Sequence, residues 1–452
     1  AASAAEVADA CAAAREALDG WRHTSVDQRM AMVNAFAQRL EAQAEPFAEL
    51  LSRETGKPLW ESRTEVKAMA GKAALSARAY GERRREAIEP AGEAQAAMRF
   101  KPHGVMAVLG PFNLPGHLPN GHIMPALIAG NTVVFKPSDL TPAAGEQMAR
   151  LWAEAGLPAG VLNLVQGGRD VGAALVDDAQ IDGVLFTGSC AGGKAIATSL
   201  AQRPGVIAAL EMGGNNPLIV DAVSDVNAAA YLTILSAYIT AGQRCTCARR
   251  LIVPRGAAGD DFVNALVAMI AKVHVGVWNA DPQPFVGPLI SRAAADRIAA
   301  EYDHLRRQGG HALVAMRRLG HAMLTPGLID VTPVKQHGDE EHFGPLLQLL
   351  RVDDFDQAID RANDTAFGLA AGLLSDDRTR YEHFFDRIRA GVVNWNRQTT
   401  GASGAMPFGG VGDSGNHRPS GYWASDYCSY PVASLECDAL TMPAQTQPGI
   451  DL

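Results

Sequence analysis

The sequence predicts an α/β fold, and three observations carry that expectation. Residues 1–86 read as helices, and from Val105 short apolar runs alternate with helical stretches. Lys136, Gly167, Gly188 and Glu211 each fall just past the end of such a run. Alternating strand and helix argues for βαβ units and a mostly parallel sheet, which binds ligands outside the carboxyl ends of its strands. At 452 residues the chain is long enough for about three domain-sized units.

In the first stretch, Ser25-Val26-Asp27-Gln28 is a capping-box pattern opening an amphipathic helix through Leu40. Thr55-Gly56-Lys57-Pro58 interrupts the pattern, which resumes from Trp60 to Tyr80. Arg83-Arg84-Arg85 at that helix end is expected to be a solvated face. Strands are expected at Val105–Leu109, Thr132–Phe135, Val161–Val165, Gly183–Phe186 and Val206–Leu210. Thr141-Pro142 opens one intervening helix, with proline at the first helical position. A second α/β stretch begins after Asn216. It holds an apolar helix over Tyr231–Ile239, a strand at Leu251–Val253, a helix from Asp260 to about Lys272, and strands near Leu369–Leu374 and Val392–Trp395. Phe408-Gly409-Gly410-Val411-Gly412 marks a loop, and from Tyr422 a weak alternation runs into a proline-containing tail.

Composition excludes several functions. Hydrophobic residues make up 47% and charged residues 20%, as in a soluble globular chain, and the net charge of −9 argues against nucleic-acid or anionic-membrane partners. Six cysteines (Cys11, Cys190, Cys245, Cys247, Cys428, Cys437) are sparse and unpatterned, which suits a reducing cytoplasm. Cys245-x-Cys247 lacks the second ligand pair of a zinc site, and His117 and His122 share no clean helical face, so no metal is expected. No apolar stretch reaches membrane-spanning length, and no signal peptide is visible. The chain begins at Ala1 inside an alanine-rich helical pattern, and the expectation is a chain trimmed at its N-terminus.

The chemistry gathers at Gly242-Gln243-Arg244-Cys245-Thr246-Cys247, between the apolar helix and the strand at Leu251. A cysteine placed there is able to face a cleft as a nucleophile, its thiolate favoured by a nearby cation such as Arg244. Most cysteines are simply small buried hydrophobes. Here Leu210-Glu211-Met212-Gly213-Gly214 adds a carboxylate beside two glycines, and Pro111-Phe112-Asn113-Leu114-Pro115 adds an amide in a proline-framed loop. Nucleophile, base and oxyanion donor make a set for acyl chemistry. Phe186-Thr187-Gly188-Ser189-Cys190-Ala191-Gly192-Gly193 follows a strand and opens a helix, where glycines let backbone N–H groups approach a pyrophosphate. Lys136-Pro137-Ser138-Asp139 follows another strand, offering a lysine and a carboxylate to ribose hydroxyls. Either signal alone also fits an ordinary turn; on successive strand ends of one sheet, the two favour a dinucleotide.

Taken together, these stretches resemble the aldehyde dehydrogenase superfamily over essentially the whole chain from Ala12. Asn113, Lys136, Gly188-Ser189, Glu211-x-Gly213-Gly214, Gly242-Gln243-x-Cys245, Glu341-x-Phe343-Gly344-Pro345 and Pro407-Phe408-Gly409-Gly410 occur in the family's order. The resemblance implies an aldehyde dehydrogenase-like fold: a Rossmann-like NAD-binding domain (1–86 and 104–212), an α/β catalytic domain (213–421), and a small bridging sheet (87–103 and 422–452) that pairs subunits into homodimers or homotetramers. It implies Cys245 as nucleophile, Glu211 as the base for the deacylating water, and the Asn113 amide with the Cys245 N–H as the oxyanion site. For NAD it implies Lys136, Ser138 and Asp139 at the adenosine ribose, Gly167, Gly188, Ser189 and Gly193 around the phosphates, and Glu341 with Phe343 at the nicotinamide end. Three departures stand out. Asp139 replaces a common Glu, Cys190 replaces a common Thr, and the family's first strands do not appear.

Gly116-His117-Leu118-Pro119-Asn120-Gly121-His122, Glu211–Pro217 and Ala241–Arg250 are similar to a branch of the family acting in bacterial arginine catabolism. Its implied substrate is a semialdehyde bearing two carboxylates, for which Arg244, Arg397 and Arg418 are the candidate partners. Two rivals are an acyl-transferring aldehyde dehydrogenase, disfavoured by Glu211, and a non-catalytic protein keeping the fold, disfavoured by the full set Asn113, Glu211 and Cys245.

Overall fold

The structure is a computed structural model that describes residues 1–335, 338–442 and 446–450. Helices Ala4–His23, Val26–Ala42, Ala44–Thr55 and Leu59–Arg83 fill the N-terminal stretch. The first does not run through Ala1 as its pattern suggested. Ser3 caps it, accepting from the Glu6 N–H at 3.3 Å while the Glu6 carboxylate accepts from the Ser3 N–H at 2.7 Å. Ser25 and Gln28 close the second capping box. Gly56 ends the third helix in a left-handed conformation (φ 78°), where a side chain would also strike Pro288 at 2.6 Å.

A five-stranded parallel sheet follows, in the spatial order Leu162–Leu164, Thr132–Lys136, Val105–Leu109, Gly183–Gly188, Ile207–Met212. Its first strand in sequence is central, so the winding direction reverses there and leaves a crevice at the carboxyl ends of Val105–Leu109 and Gly183–Gly188. Val105–Leu109 and Thr132–Lys136 are buried throughout, which explains why both read as unbroken apolar runs. Pro142 starts the helix Pro142–Glu154, as expected.

The second sheet has seven strands, in the order His311–Val314, Gly327–Asp330, Leu346–Val352, Ala248–Pro254, Asn216–Val220, Ala370–Leu374, Val392–Trp395. Only the His311–Val314 edge pairs antiparallel. The helix expected from Asp260 begins three residues earlier, at Ala257. A third, antiparallel sheet joins Ala87–Ala91, Ala94–Pro102 and Ser429–Glu436, and Ile88, Met98 and Leu435 stand exposed on it. Late chain returns to the first sheet at Asn416, whose Oδ1 accepts from the Leu210 N–H (2.8 Å) and whose Nδ2 donates to the Ala208 carbonyl (3.0 Å). Among the described residues no helix is long and apolar enough to cross a membrane.

The arginine triplet departs from its expected solvated face. Arg83 and Arg84 both pair with Asp426, Arg83 lies 4.1 Å over the Trp423 ring, and Arg84 lies 4.8 Å over Phe100. Only Arg85 is exposed. The helix end is thereby tied to the C-terminal segment. Asp426→Asn leaves two part-buried guanidinium groups without their anion and is expected to lower unfolding stability by about 1–3 kcal/mol in urea titrations. A loss below about 0.5 kcal/mol would mean that the pair is a screened surface contact.

Candidate active site

Cys245 lies in the turn between helix Val226–Tyr238 and strand Ala248–Pro254. Thr240, Ala241 and Gly242 precede it with φ of 57°, 52° and 71°, three consecutive left-handed residues. Such a turn is costly for a β-branched threonine and persists only where its surroundings dictate it. Those surroundings are polar and buried. Arg249, fully buried, donates to the Gly242 carbonyl (2.6 Å) and the Arg244 carbonyl (2.9 Å). Asn216 donates to the carbonyls of Cys245 (2.7 Å) and Cys247 (2.9 Å). Glu61 accepts from Thr240 Oγ1 and, at 2.8 Å, from Arg244.

Asn113, 5% exposed, donates its amide to the Gln243 carbonyl at 2.8 Å, which brings its loop against the cysteine turn. That loop is held from below. Lys57 Nζ donates to the Asn113 carbonyl (3.0 Å) and pairs with the buried Glu65, whose other oxygen accepts from the N–H groups of Gly116 (2.9 Å) and His117 (3.1 Å).

Glu211 ends the strand Ile207–Met212 and is 1% exposed. Burial pushes its pKa up to about 8, with contact to the Cys245 thiol pulling slightly the other way. The thiol of Cys245 is pushed well above its ordinary value, first by burial and then by the charges of Glu211 and Glu341. This corrects the expectation that Arg244 would lower it. The guanidinium pairs instead with Glu61 and with Thr240 Oγ1 at 2.7 Å, so the charges acting on the thiol are carboxylates.

Asn113, Glu211 and Cys245 share the wall of a cavity of about 1240 Å³ with Lys136, Ser138, Asp139, Gly188, Ser189, Glu341 and Phe343. Lys136 Nζ donates to the Pro137 (2.7 Å) and Gly167 (2.9 Å) carbonyls, and Asp139 is exposed beside it. Ser138 Oγ accepts from the Leu140 N–H at 3.2 Å. Ser189 caps helix Cys190–Ser199, accepting from the Gly192 N–H at 3.2 Å, so the positive end of that helix faces the cavity. Gly167 and Gly193 do not line it. Side chains there would collide with Val171 and Met212, and the wall is formed by their neighbours Gly168 and Gly192. At the far end the Gly214 N–H donates to Glu341 at 3.2 Å, and a side chain at Gly213 would displace that carboxylate. Burial raises Glu341 to about 7, with Arg249 and the Gly214 N–H acting against it. Phe343 meets Phe112 edge-on at 5.9 Å and lies 5.3 Å from Arg249.

The three arginines expected at substrate carboxylates do not line this cavity. Arg244 is committed to Glu61, Arg397 is exposed, and Arg418 donates to the Gly410 carbonyl at 2.8 Å. Both ring nitrogens of His122 hydrogen-bond in the core, to Tyr427 (2.9 Å) and Thr187 (3.0 Å). Sequence reasoning missed Arg249, Asn216, Lys57, Glu61 and Glu65. The one available signal was Arg249-Arg250 inside an apolar strand, since a buried arginine there must satisfy several carbonyls.

The model of the aldehyde dehydrogenase family matches residues 1–431. The chain is 56% identical to the N-succinylglutamate 5-semialdehyde dehydrogenase of Chromobacterium violaceum, over 100% of this chain and 93% of that protein. It is 53% identical to the protein of the same name from Pseudomonas fluorescens, with the same two coverages. Among solved structures it resembles glyceraldehyde-3-phosphate dehydrogenase from Methanocaldococcus jannaschii complexed with NADP (TM-score 0.90, 27% identity, 97% and 95% of the two chains). It also resembles an indole-3-acetaldehyde dehydrogenase complexed with NAD+ (TM-score 0.90, 29% identity, 96% and 89%).

Glu65→Gln tests what holds the Asn113 loop. It leaves Lys57 buried without its anion and is expected to cost about 3–5 kcal/mol of unfolding stability. The double variant with Lys57→Met should recover part of that loss, because the stranded charge is gone. A single-variant loss under about 1 kcal/mol in urea titration would show that the pair does not hold the loop.

Proposed function

We propose a specific oxidation for this chain, which belongs to the aldehyde dehydrogenase family: N-succinyl-L-glutamate 5-semialdehyde to N-succinyl-L-glutamate, a step of arginine catabolism, with NAD as acceptor. As a family member the chain is an oxidoreductase acting on aldehydes. The observation that carries the reading is the meeting of Asn113, Glu211 and Cys245 on one cavity wall. The name shared by relatives 53–56% identical over the whole chain supports the substrate.

The Cys245 sulfur attacks the aldehyde carbon, forming a C–S bond and placing negative charge on oxygen, where the Asn113 amide and the Cys245 N–H stabilise it. A dinucleotide held by Glu341 and Phe343 at its nicotinamide end would supply the hydride acceptor, and Cys245 would then carry the acyl group as a thioester. Glu211 then takes a proton from water, the hydroxide oxygen adds to the acyl carbon, and the Cys245 thiolate leaves. Burial pushes both groups toward their neutral forms; the charge of Glu211 raises the Cys245 thiol further, while the hydrogen bond from that thiol favours the ionised carboxylate.

The residues present fit a dinucleotide. The open N-terminus at Ser189 suits a pyrophosphate, and Lys136 with Asp139 suits a ribose diol. Glu341 and Phe343 would hold the nicotinamide end. The carboxylate of Asp139 opposes a 2′-phosphate, which favours NAD over NADP. The five-stranded sheet would core the cofactor domain and the seven-stranded sheet the catalytic domain. The exposed face of the three-stranded sheet would join subunits into a dimer or tetramer. Free cysteines fit a cytoplasmic setting.

Glu211→Gln should keep a burst of NADH while steady turnover falls about 10²- to 10⁴-fold. In the wild type Glu211 is protonated below its raised pKa of about 8, so deacylation-limited turnover should rise with pH through that value, and the variant should lose this limb. A linear rate without a burst would show that Glu211 acts before hydride transfer. Steady-state comparison of short, aromatic and dicarboxylate aldehydes should rank N-succinylglutamate semialdehyde first, with NAD preferred. Asp139→Ser should narrow the gap to NADP, and equal use of both cofactors by the wild type would refute the role of Asp139.

A further inference from the structure

Among the described residues the buried cations are Arg29, Lys57, Lys72, Lys136, Arg249 and Arg250. Five of them donate to carbonyls or carboxylates. Lys72, 5% exposed, makes no hydrogen bond or ion pair within the described residues. Burial alone acts on it and lowers its pKa to about 8. A buried ammonium without an anion is costly, and a folded protein keeps one where something else offsets the cost.

Its position says what that is. Lys72 lies seven residues past Glu65 on helix Leu59–Arg83, about 10 Å farther along the axis. Its ammonium packs against Gly121, where an added methyl would stand 2.7 Å from Nζ and 3.3 Å from Ser420 Oγ. Glycine thus leaves this space to the ammonium, and a methyl there would push the flexible end of Lys72 aside. His117, one turn before Gly121, feels the charges of Lys72, Arg244 and Lys57, and its buried Nδ1 has no partner. In this cluster Lys57 is matched by Glu65 and Arg244 by Glu61. The surplus charge belongs to Lys72. None of Lys72, His117 and Arg244 lines the cofactor-side cavity, while His117 follows Asn113 by four residues and Arg244 adjoins Cys245 in the chain.

We infer that Lys72, with Gly121 clearing its space and His117 beside it, forms the subsite that receives a carboxylate of the aldehyde substrate. The inference rests on the carboxylated substrate proposed above, and it replaces the three arginines expected from sequence. A carboxylate there would neutralise the buried ammonium that has no hydrogen-bond partner among the described residues, while an uncharged aldehyde would leave it unpaired.

The test compares kcat/KM for N-succinylglutamate 5-semialdehyde, succinate semialdehyde and hexanal in wild type, Lys72→Met and Gly121→Ala. Calorimetry of N-succinyl-L-glutamate binding gives an independent readout. In Lys72→Met the ratio of the preferred carboxylated aldehyde to hexanal should fall roughly 10- to 150-fold, as for loss of one charge-assisted contact. Product binding should weaken in step, and the melting temperature should rise because an unmatched buried charge has gone. Gly121→Ala keeps the charge but crowds it, and should lower the same ratio. A wild type preferring N-succinylglutamate semialdehyde, with ratios unchanged in both variants or with Lys72→Met lowering the melting temperature and sparing the ratio, overturns the subsite and spares the substrate reading. A wild type preferring succinate semialdehyde, with that preference lost in Lys72→Met, keeps the subsite and overturns the substrate reading. Indifference of the wild type to charge overturns both.

Discussion

Two buried carboxylates one helical turn apart, Glu61 and Glu65, fix the geometry on which the candidate site depends. Glu61 grips the left-handed turn through Thr240 and Arg244, and Glu65 grips the Asn113 loop through Lys57 and two backbone N–H groups. Residues i and i+4 of a helix share a face, so one rigid rod sets the separation of the nucleophile turn and the amide loop. Buried ion pairs contribute little net stability, but losing one partner is expensive, which makes such wiring intolerant of misplacement. The result is positioning without mobility at the two loops that must meet.

A second constraint is electrostatic. Glu211, Glu341 and Cys245 lie in one poorly solvated region, and each is pushed toward its neutral form by burial. Three negative charges would repel strongly there. Arg249 moderates this from Glu341's side, 3.8 Å from its carboxylate, while also holding the turn before Cys245. One buried guanidinium therefore links the shape of the site to its charge.

The parts legible in the sequence were those encoded locally. Val105–Leu109 and Val392–Trp395 appeared as strands with the expected limits, because apolar runs bounded by polar residues or glycine carry their own signal. Glu211 and Gly188 were found because they end strands, and Ser25 because its capping box is written in four adjacent residues. Long-range pairings left no such trace. Nothing near Lys57 announces Asn113, and nothing near Arg84 announces Asp426. Adjacency also misled: Arg244 neighbours Cys245 in sequence, yet its side chain leaves for Glu61. Helix Arg292–Arg307, which lines the cavity through Arg297 and His304, passed unnoticed because its charged surface resembles any exposed helix.

Asn416 completes the edge of the five-stranded sheet, bonding to Leu210 and Ala208 across more than 200 residues of chain. Until that late segment arrives, the strand bearing Glu211 presents open backbone groups, a template for mispairing with other chains. During vectorial synthesis the hazard lasts while the entire second sheet is being made, because residue 416 follows all seven of its strands. The edge of the strand that bears the carboxylate is therefore closed only after the second sheet's strands have been made. Truncation that removes Asn416 would thus strike the first sheet, far away in sequence, and not merely the tail.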